Sequence, residues 1–367
     1  MQAKFNLNSM KKYFLQAVLS ILLVIPFCNT TNSQSINKTL SVLSSEVAEK
    51  YTDPAVSAFR AALNSGWFSE LPSSTNGLHI KIRIVGIGST FSSSIRNFST
   101  QGQFHFSSTQ ADKILEASGY STDDYYYNDI KNYILEQTWD VKIEGPTIIG
   151  SKNDYLKVEF PGRDIPLDVA GTTQYFTVNS YSVSEEEVKG FLNNLEFLPT
   201  PAIQLDLSSL LGTGVTFRYF KGINVENLGE VNIFGLGLVH NIKYWLPGYF
   251  PLNLGLAFYY QKFDIGTVFQ NTASKLGLYF SKDIGSVITF SPYAGLSYES
   301  SNSHIKYSYE FYTPAGAQKV NLAVDFPPMN IVALTLGSTL KLPVVSLNID
   351  FKFAETQAVS VGLGFGF

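Results

Sequence analysis

Four histidines, His79, His105, His240 and His304, are the side chains best suited to proton transfer in this sequence of 367 residues. None stands four residues from another, and no H-E-x-x-H, G-x-S-x-G or phosphate-cradling loop accompanies them. A hydrolase would have to draw on His240 or His304, with a serine and an acid that spacing alone does not assemble. The sequence is therefore read as non-enzymatic, with no catalytic, cofactor-binding or metal-ligating residue to name and no cofactor expected. The lone Cys28 excludes an internal disulfide framework and a cysteine-based zinc site.

A second set of polar residues suggests different chemistry. Arg218, Asn253, Lys275, Lys319, Asp325, Asp350 and Lys352 all fall on the polar face of strongly alternating segments. They are read as lining a lumen. Asp350 and Lys352, with Lys319 and Asp325, fit an internal ion-pair network better than a selectivity ring. Arg218 is read first as a charge partner in the same lumen and second as a ligand contact.

The elements that must hold them are strands. From about residue 200 onward apolar and polar residues alternate with period two. Leu252, Leu254, Leu256, Phe258 and Tyr260 oppose Asn253, Gly255, Ala257, Tyr259 and Gln261. Val345, Leu347, Ile349, Phe351 and Phe353 oppose Ser346, Asn348, Asp350 and Lys352. Val320, Leu322, Val324 and Phe326 oppose Lys319, Asn321, Ala323 and Asp325. Similar runs lie near 202–208, 213–221, 231–241, 275–281, 286–298, 303–313, 330–341 and 358–367, which makes about eleven strands. Where the pattern is clearest they run about 9–11 residues, enough to cross a bilayer core at a tilt.

Alternation fits either a soluble sandwich or a membrane barrel. The polar face is rich in Gly, Ala, Ser and Asn, which suits a narrow lumen better than a solvated surface. Aromatic residues gather at strand ends, at Tyr244, Trp245, Tyr249, Phe250 and Tyr298. The last alternating strand ends on Phe365 and Phe367, like the C-terminal assembly signal of outer-membrane barrels. Together these features predict an all-β fold: a transmembrane antiparallel barrel of about 12–14 strands with a short helical N-terminal segment.

Composition agrees. Charged residues make up 15% of the chain and hydrophobic ones 45%, against about 25% charged in an average soluble protein. That excludes intrinsic disorder. A formal net charge of −4 without a basic cluster excludes a nucleic-acid partner. Apart from one stretch near the start, no apolar run approaches the roughly 20 residues of a spanning helix.

The first residues read as a leader. Lys4, Lys11 and Lys12 precede the apolar stretch 13–27, and a polar exit follows. A signal peptide over 1–33, cut between Ser33 and Gln34, is expected; Phe27 is too bulky to precede an acylated Cys28. Residues 34–77 are expected to form a helical cap or hatch. One helical stretch precedes Asp53, and a second starts with Asp53 as N-cap and Pro54 in its first turn. Residues 78–199 are expected to hold the first barrel strands with long insertions, with candidates at 78–88, 102–107, 139–144, 155–160 and 174–180. Residues 200–367 form the C-terminal barrel strands.

The motif from Tyr51-Thr52-Asp53-Pro54 to Asn64-Ser65-Gly66-Trp67-Phe68 resembles the opening of an uncharacterised outer-membrane barrel family of Bacteroidota-type bacteria. Pro199, Pro201 and Gln204, then Gly212, Thr213 and Arg218, then Phe234, Gly235, Gly237 and His240, resemble later motifs of that family, as does Ser291 to Glu299. A second, partial resemblance, at Asp53-Pro54-Ala55, is to the hatch motif of fatty-acid-transporter barrels. These resemblances imply a bacterial outer-membrane location, with membrane lipid and the barrel-assembly machinery as partners. The expected function is a passive channel or transporter for small or hydrophobic solutes. The alternative is a structural or assembly protein of the outer membrane without transport.

Overall fold

The alternating segments build a closed antiparallel barrel of ten strands. The structure is a computed structural model that describes residues 45–366 apart from 74–76, 92–95, 186–187, 191, 194, 226–228, 247–250 and 314–315. The expected leader, the start of the expected hatch and Phe367 lie outside the described residues.

The barrel strands are β1 (His79–Thr90), β8 (Phe197–Leu210), β9 (Thr213–Val225), β10 (Gly229–Asn241), β11 (Asn253–Ile265), β12 (Phe269–Ser281), β13 (Thr289–Thr313), β14 (Gly316–Lys341), β15 (Val345–Phe353) and β16 (Ala358–Gly366). Each pairs with its neighbour in sequence order. β1 closes the ring by pairing with β16 on one side and β8 on the other. Within the ring no edge is left free, since every wall strand has a neighbour on both sides.

The strand count corrects the expected 12–14, for two reasons. Residues 97–185 do not enter the barrel. β2 (Asn97–Phe104), β3 (Trp139–Pro146), β4 (Leu156–Phe160) and β7 (Tyr181–Glu185) form a separate four-stranded sheet, and β5 (Arg163–Val169) pairs with β6 (Thr172–Val178). The runs 286–298 and 303–313 are also one strand, as are 319–326 and 330–341. The breaks that look like turns are a bulge at Ser301/Ser303 opposite Pro327-Pro328. The extra residue lets a proline pair sit in a ladder it could not otherwise join.

β13 and β14, at 25 and 26 residues, outrun any bilayer. Past the bulge the facing inverts. Below it Val332, Leu334 and Leu336 point outward; above it Val324 and Phe326 are buried and Asp325 is exposed. Lipid wants apolar side chains outside, whereas water wants them inside. The inversion thus marks where the hairpin leaves the one medium for the other.

Helix α1 (Ser45–Leu63) is one helix of 19 residues, not two segments parted at Asp53. Pro54 removes one backbone hydrogen bond, yet burial on both sides of it holds the helix together. The first half of α1, with Val47, Tyr51 and Val56, packs into one core with β2–β4, α2 (Ser108–Ala117) and α3 (Tyr127–Glu136). This is the insert end of the barrel. The second half enters the bore. Residues 64–73 continue through it, so that β1 starts from the opposite end, where β16 also finishes. That terminal end has no connection longer than 242–252, whereas the other carries 91–196.

Candidate functional site

The bore is a filled site, and its lining follows from period two. On each strand the outward positions carry large apolar side chains, and the inward ones carry small or polar residues. Ile82, Ile203, Phe217, Leu236, Leu256, Leu276, Leu296, Leu336, Ile349 and Val361 put an exposed apolar side chain on every one of the ten strands. Along β11 and the residue before it, the outward band from Leu252 to Tyr260 covers about 27 Å of chain, or about 21 Å at a tilt of roughly 40°. Among the described residues no Asp, Glu, Lys or Arg faces outward within it. Lys221, Glu230, Lys262 and Lys282 flank it.

Inside, the wall grips the threading chain mainly by its backbone. Ser89 Oγ donates to Ala58 O at 2.7 Å, Lys352 Nζ to Ala61 O at 2.8 Å and Lys275 Nζ to Asn64 O at 3.2 Å. Arg218 Nη2 donates to Ser65 O at 3.0 Å, and Gln204 Nε2 to Trp67 O at 3.0 Å. Arg83 Nη2 also reaches Trp67 O; Tyr293, Thr339 and Asn241 donate to Phe68, Ser69 and Pro72 carbonyls. An extended segment inside a sheet-walled tube has no strand to pair with, so side-chain donors satisfy its carbonyls.

Two rings fix its position. Trp67 stacks on Tyr259 at 4.9 Å between centroids, with the Arg218 guanidinium 3.8 Å from its ring centre. Phe68 lies parallel to Tyr279 at 4.0 Å. The wall makes room with glycine: a Cβ on Gly235 would come within 2.6 Å of Trp67, and one on Gly255 within 2.2 Å of Leu71.

Charges are paired at two levels. In mid-bore Glu299, fully buried, meets Lys275 at 3.2 Å and Lys352 at 2.9 Å. Nearer the terminal end Arg83 Nε meets Asp206 at 2.8 Å, and Glu70 of the threading segment meets Lys81 and Lys341. A cavity of about 530 Å³ opens below, lined among others by Trp67, Glu70, Lys81, Asp206, Asn253 and Lys341. In the turn beneath, burial opposes ionisation of Asp283, but Ser291 and Lys341 outweigh it and hold the carboxyl below its usual range.

The expected lining residues divide. Arg218, Lys275, Asp350 and Lys352 point into the bore, and Asp350 accepts from Tyr293 OH at 3.1 Å. Asn253 sits at the terminal mouth and donates to Asp283 at 3.1 Å. Asp325 is a correction: it faces outward above the bulge, 2.6 Å from His304, and so does not join Asp350 and Lys352. Lys319 pairs by backbone with Glu310 on the projecting hairpin, and its side chain lies outside the described residues. Phe365 lies in β16 opposite Ile82 and Val345. The histidines do not converge: His240 bonds Thr213 and Trp245, His105 bonds Thr138, and His304 bonds Asp325. Among the described residues no cluster of three or more His, Cys, Asp or Glu could hold a metal ion.

Sequence reasoning missed Glu299, Arg83, Gln204 and the aromatic seats. Glu299 was within reach: it shares the inward parity of Tyr293, Gly295 and Ser297 and lies opposite Lys275 in register. The aromatic seats gave no such signal, since Tyr259 and Tyr279 look like any strand tyrosine.

Compared with known proteins, residues 10–367 match the profile of a family of unknown function, DUF6588. No curated protein matches the chain. Solved structures with some likeness include the β-domain of the Bordetella autotransporter BrkA, 10% identical, covering 80% of this chain and 100% of that one with a TM-score of 0.32. A loop-deletion mutant of OmpT, an outer membrane protein of Vibrio cholerae, is 8% identical over 80% and 99% of the two chains, with a TM-score of 0.24. The N-terminal β-barrel domain of Pseudomonas aeruginosa OprF is 12% identical over 42% and 94%, with a TM-score of 0.20. Likenesses this distant carry no argument about function.

Proposed function

The chain belongs to the family of unknown function DUF6588, and we propose that it is an outer-membrane barrel that anchors the domain of residues 91–196 at the cell surface. The apolar girdle on all ten strands carries this reading. Contiguous exposed apolar surface on a soluble monomer rarely exceeds a few hundred Å², and a girdle of this height matches the roughly 25 Å lipid band of such barrels. Outer-membrane barrels keep short turns in the periplasm and long segments outside. The insert end therefore faces out and the terminal end faces the periplasm, after export with a leader over 1–33.

A bore gripped along residues 58–72 favours a structural or interaction role over open passage. The surface domain offers a docking feature of its own: Tyr125 is 88% exposed and Tyr175 69%, with Tyr126 packed between Tyr125 and Phe176. Lipid and the barrel-assembly machinery are the partners the girdle and the closing strand call for. No enzymatic activity is part of this proposal.

The cavity at the terminal mouth favours a second reading, a gated transporter for small or hydrophobic solutes in which residues 64–72 move aside. Conductance in planar bilayers separates the two. Heat-modifiable mobility on a gel with no conductance supports the anchor; steady solute-permeable openings of the unaltered protein refute it in favour of the transporter.

A further inference from the structure

α1 starts on one side of the barrel, and the chain leaves the bore on the other. Its first half is built into the insert core: Tyr51 OH donates to Lys189 O at 2.9 Å, and Ile148 N to Tyr51 O at 3.0 Å. Beyond it, the wall partners follow the bore in strict order. Ala58 meets Ser89 near the insert end of β1, Asn64 meets Lys275 midway along β12, and Pro72 meets Asn241 at the terminal end of β10. The direction from N to C thus runs from the insert side to the terminal side, and β1 turns back from there.

We infer that the protein carries its own N-terminal segment across the membrane. Resting on the orientation proposed above, residues 45–57 stand outside the cell, delivered through the bore that residues 58–72 still occupy. A chain exported to the periplasm meets the outer membrane from within, so this stretch has to cross. The bore is built for such a passenger. Eight strands leave an interior just wide enough for side chains; two more leave room for one polypeptide and no folded domain. The part of α1 inside the wall sets small residues among larger ones: Ala58, Ala61 and Ala62 are fully buried, and Phe59 packs on Phe263 and Phe269 of the wall. The wall donors seize carbonyl oxygens, which every polypeptide offers whatever its side chains. The 91–196 domain needs no such passage, since it is a loop between two wall strands.

The test uses single cysteines in a Cys28→Ser background and a membrane-impermeant maleimide on intact cells. Glu46→Cys reports the start of α1, Tyr125→Cys the insert domain and Val287→Cys the terminal end; all three positions are exposed. The expected result is labelling at 46 within twofold of that at 125, with 287 labelled only after permeabilisation. Labelling at 125 with none at 46 overturns the self-threading and leaves the surface anchor standing. Labelling at 287 but not 125 in intact cells overturns the orientation and both proposals with it. Lys50→Cys, also exposed, gives a second reporter on α1 should Glu46→Cys fail to assemble.

Discussion

Replacing Trp67 by alanine should unseat the threading segment without dismantling the barrel. Trp67 is 2% exposed, stacked on Tyr259, capped by Arg218 and bonded through Nε1 to Leu63 O at 2.8 Å. A buried tryptophan removes about 200 Å² from water, which at about 25 cal/mol per Å² is about 5 kcal/mol. Core Trp→Ala changes measure about 3–5 kcal/mol, and the desolvated cation–π contact adds up to about 2 kcal/mol. Arg218 is not orphaned, since Gln204, Gln261 and Ser65 still bond it. A loss of about 5 kcal/mol shifts the seated-to-unseated ratio by between 10³ and 10⁴, at about 1.4 kcal/mol per tenfold. The assay is conductance in planar bilayers, paired with hydrogen exchange of the amides of residues 64–72. Trp67→Ala should open and exchange faster; Trp67→Phe, which keeps a ring for the stack, should fall between. Closed channels and wild-type exchange in the alanine variant would show that the ring does not hold the segment in place.

Glu299→Ala leaves Lys275 and Lys352 buried beside each other without their shared anion, and should cost about 3–5 kcal/mol against urea in lipid vesicles. Replacing the trio with Met, Leu and Met should recover most of that loss. Leu336→Arg, outward in mid-girdle, should destabilise the folded barrel by about 2–4 kcal/mol, whereas Asp325→Arg, outward above the bulge, should cost far less; vesicle unfolding curves compare them. On the insert domain, hydrogen bonds from Lys131 and Tyr127 hold the Asp112 carboxyl below its ordinary range. Its contribution to α2–α3 pairing is therefore complete above the usual aspartate pKa and lost as pH falls through the depressed value. Amide exchange in α2 against pH should show that loss, and Asp112→Asn should abolish the acid dependence.

What could be read from the sequence is whatever a single strand decides by itself. The outward parity of Leu252–Tyr260 and of Leu347–Phe353 needs only period two, and the inward position of Lys275, Asp350 and Lys352 follows from it. Register and passengers could not be read in this way. Nothing local says that 303–313 continues 286–298, because a bulge and a turn share the same small and proline-rich spelling. The inward glycines were legible as a sign of a narrow bore, but not that Trp67 and Leu71 fill the space beside Gly235 and Gly255. Asp325 was misplaced because the polar face of 319–326 was read as lumen, whereas this run lies beyond the bulge, where the apolar face turns inward and the polar one meets water. The aromatic seats depend on contacts between residues about 190 positions apart, such as Trp67 and Tyr259, which spacing cannot reach.

The carbonyl-directed grip changes what variation the threading segment tolerates. Donors on eight wall strands aim at oxygens of residues 58–72, bonds that do not depend on which side chains the segment carries, although close packing holds Ala58, Ala61, Ala62, the two seated rings and Gly66, whose φ of +66° and contact with Val85 leave no room for a Cβ. Length is not free. One inserted residue would displace every downstream oxygen by about 3.4 Å in extended chain, beyond the reach of each donor at once. Homologous chains should therefore keep the number of residues between Ala58 and Pro72 constant, and an indel there should be rarer than one in any loop at the insert end of the barrel.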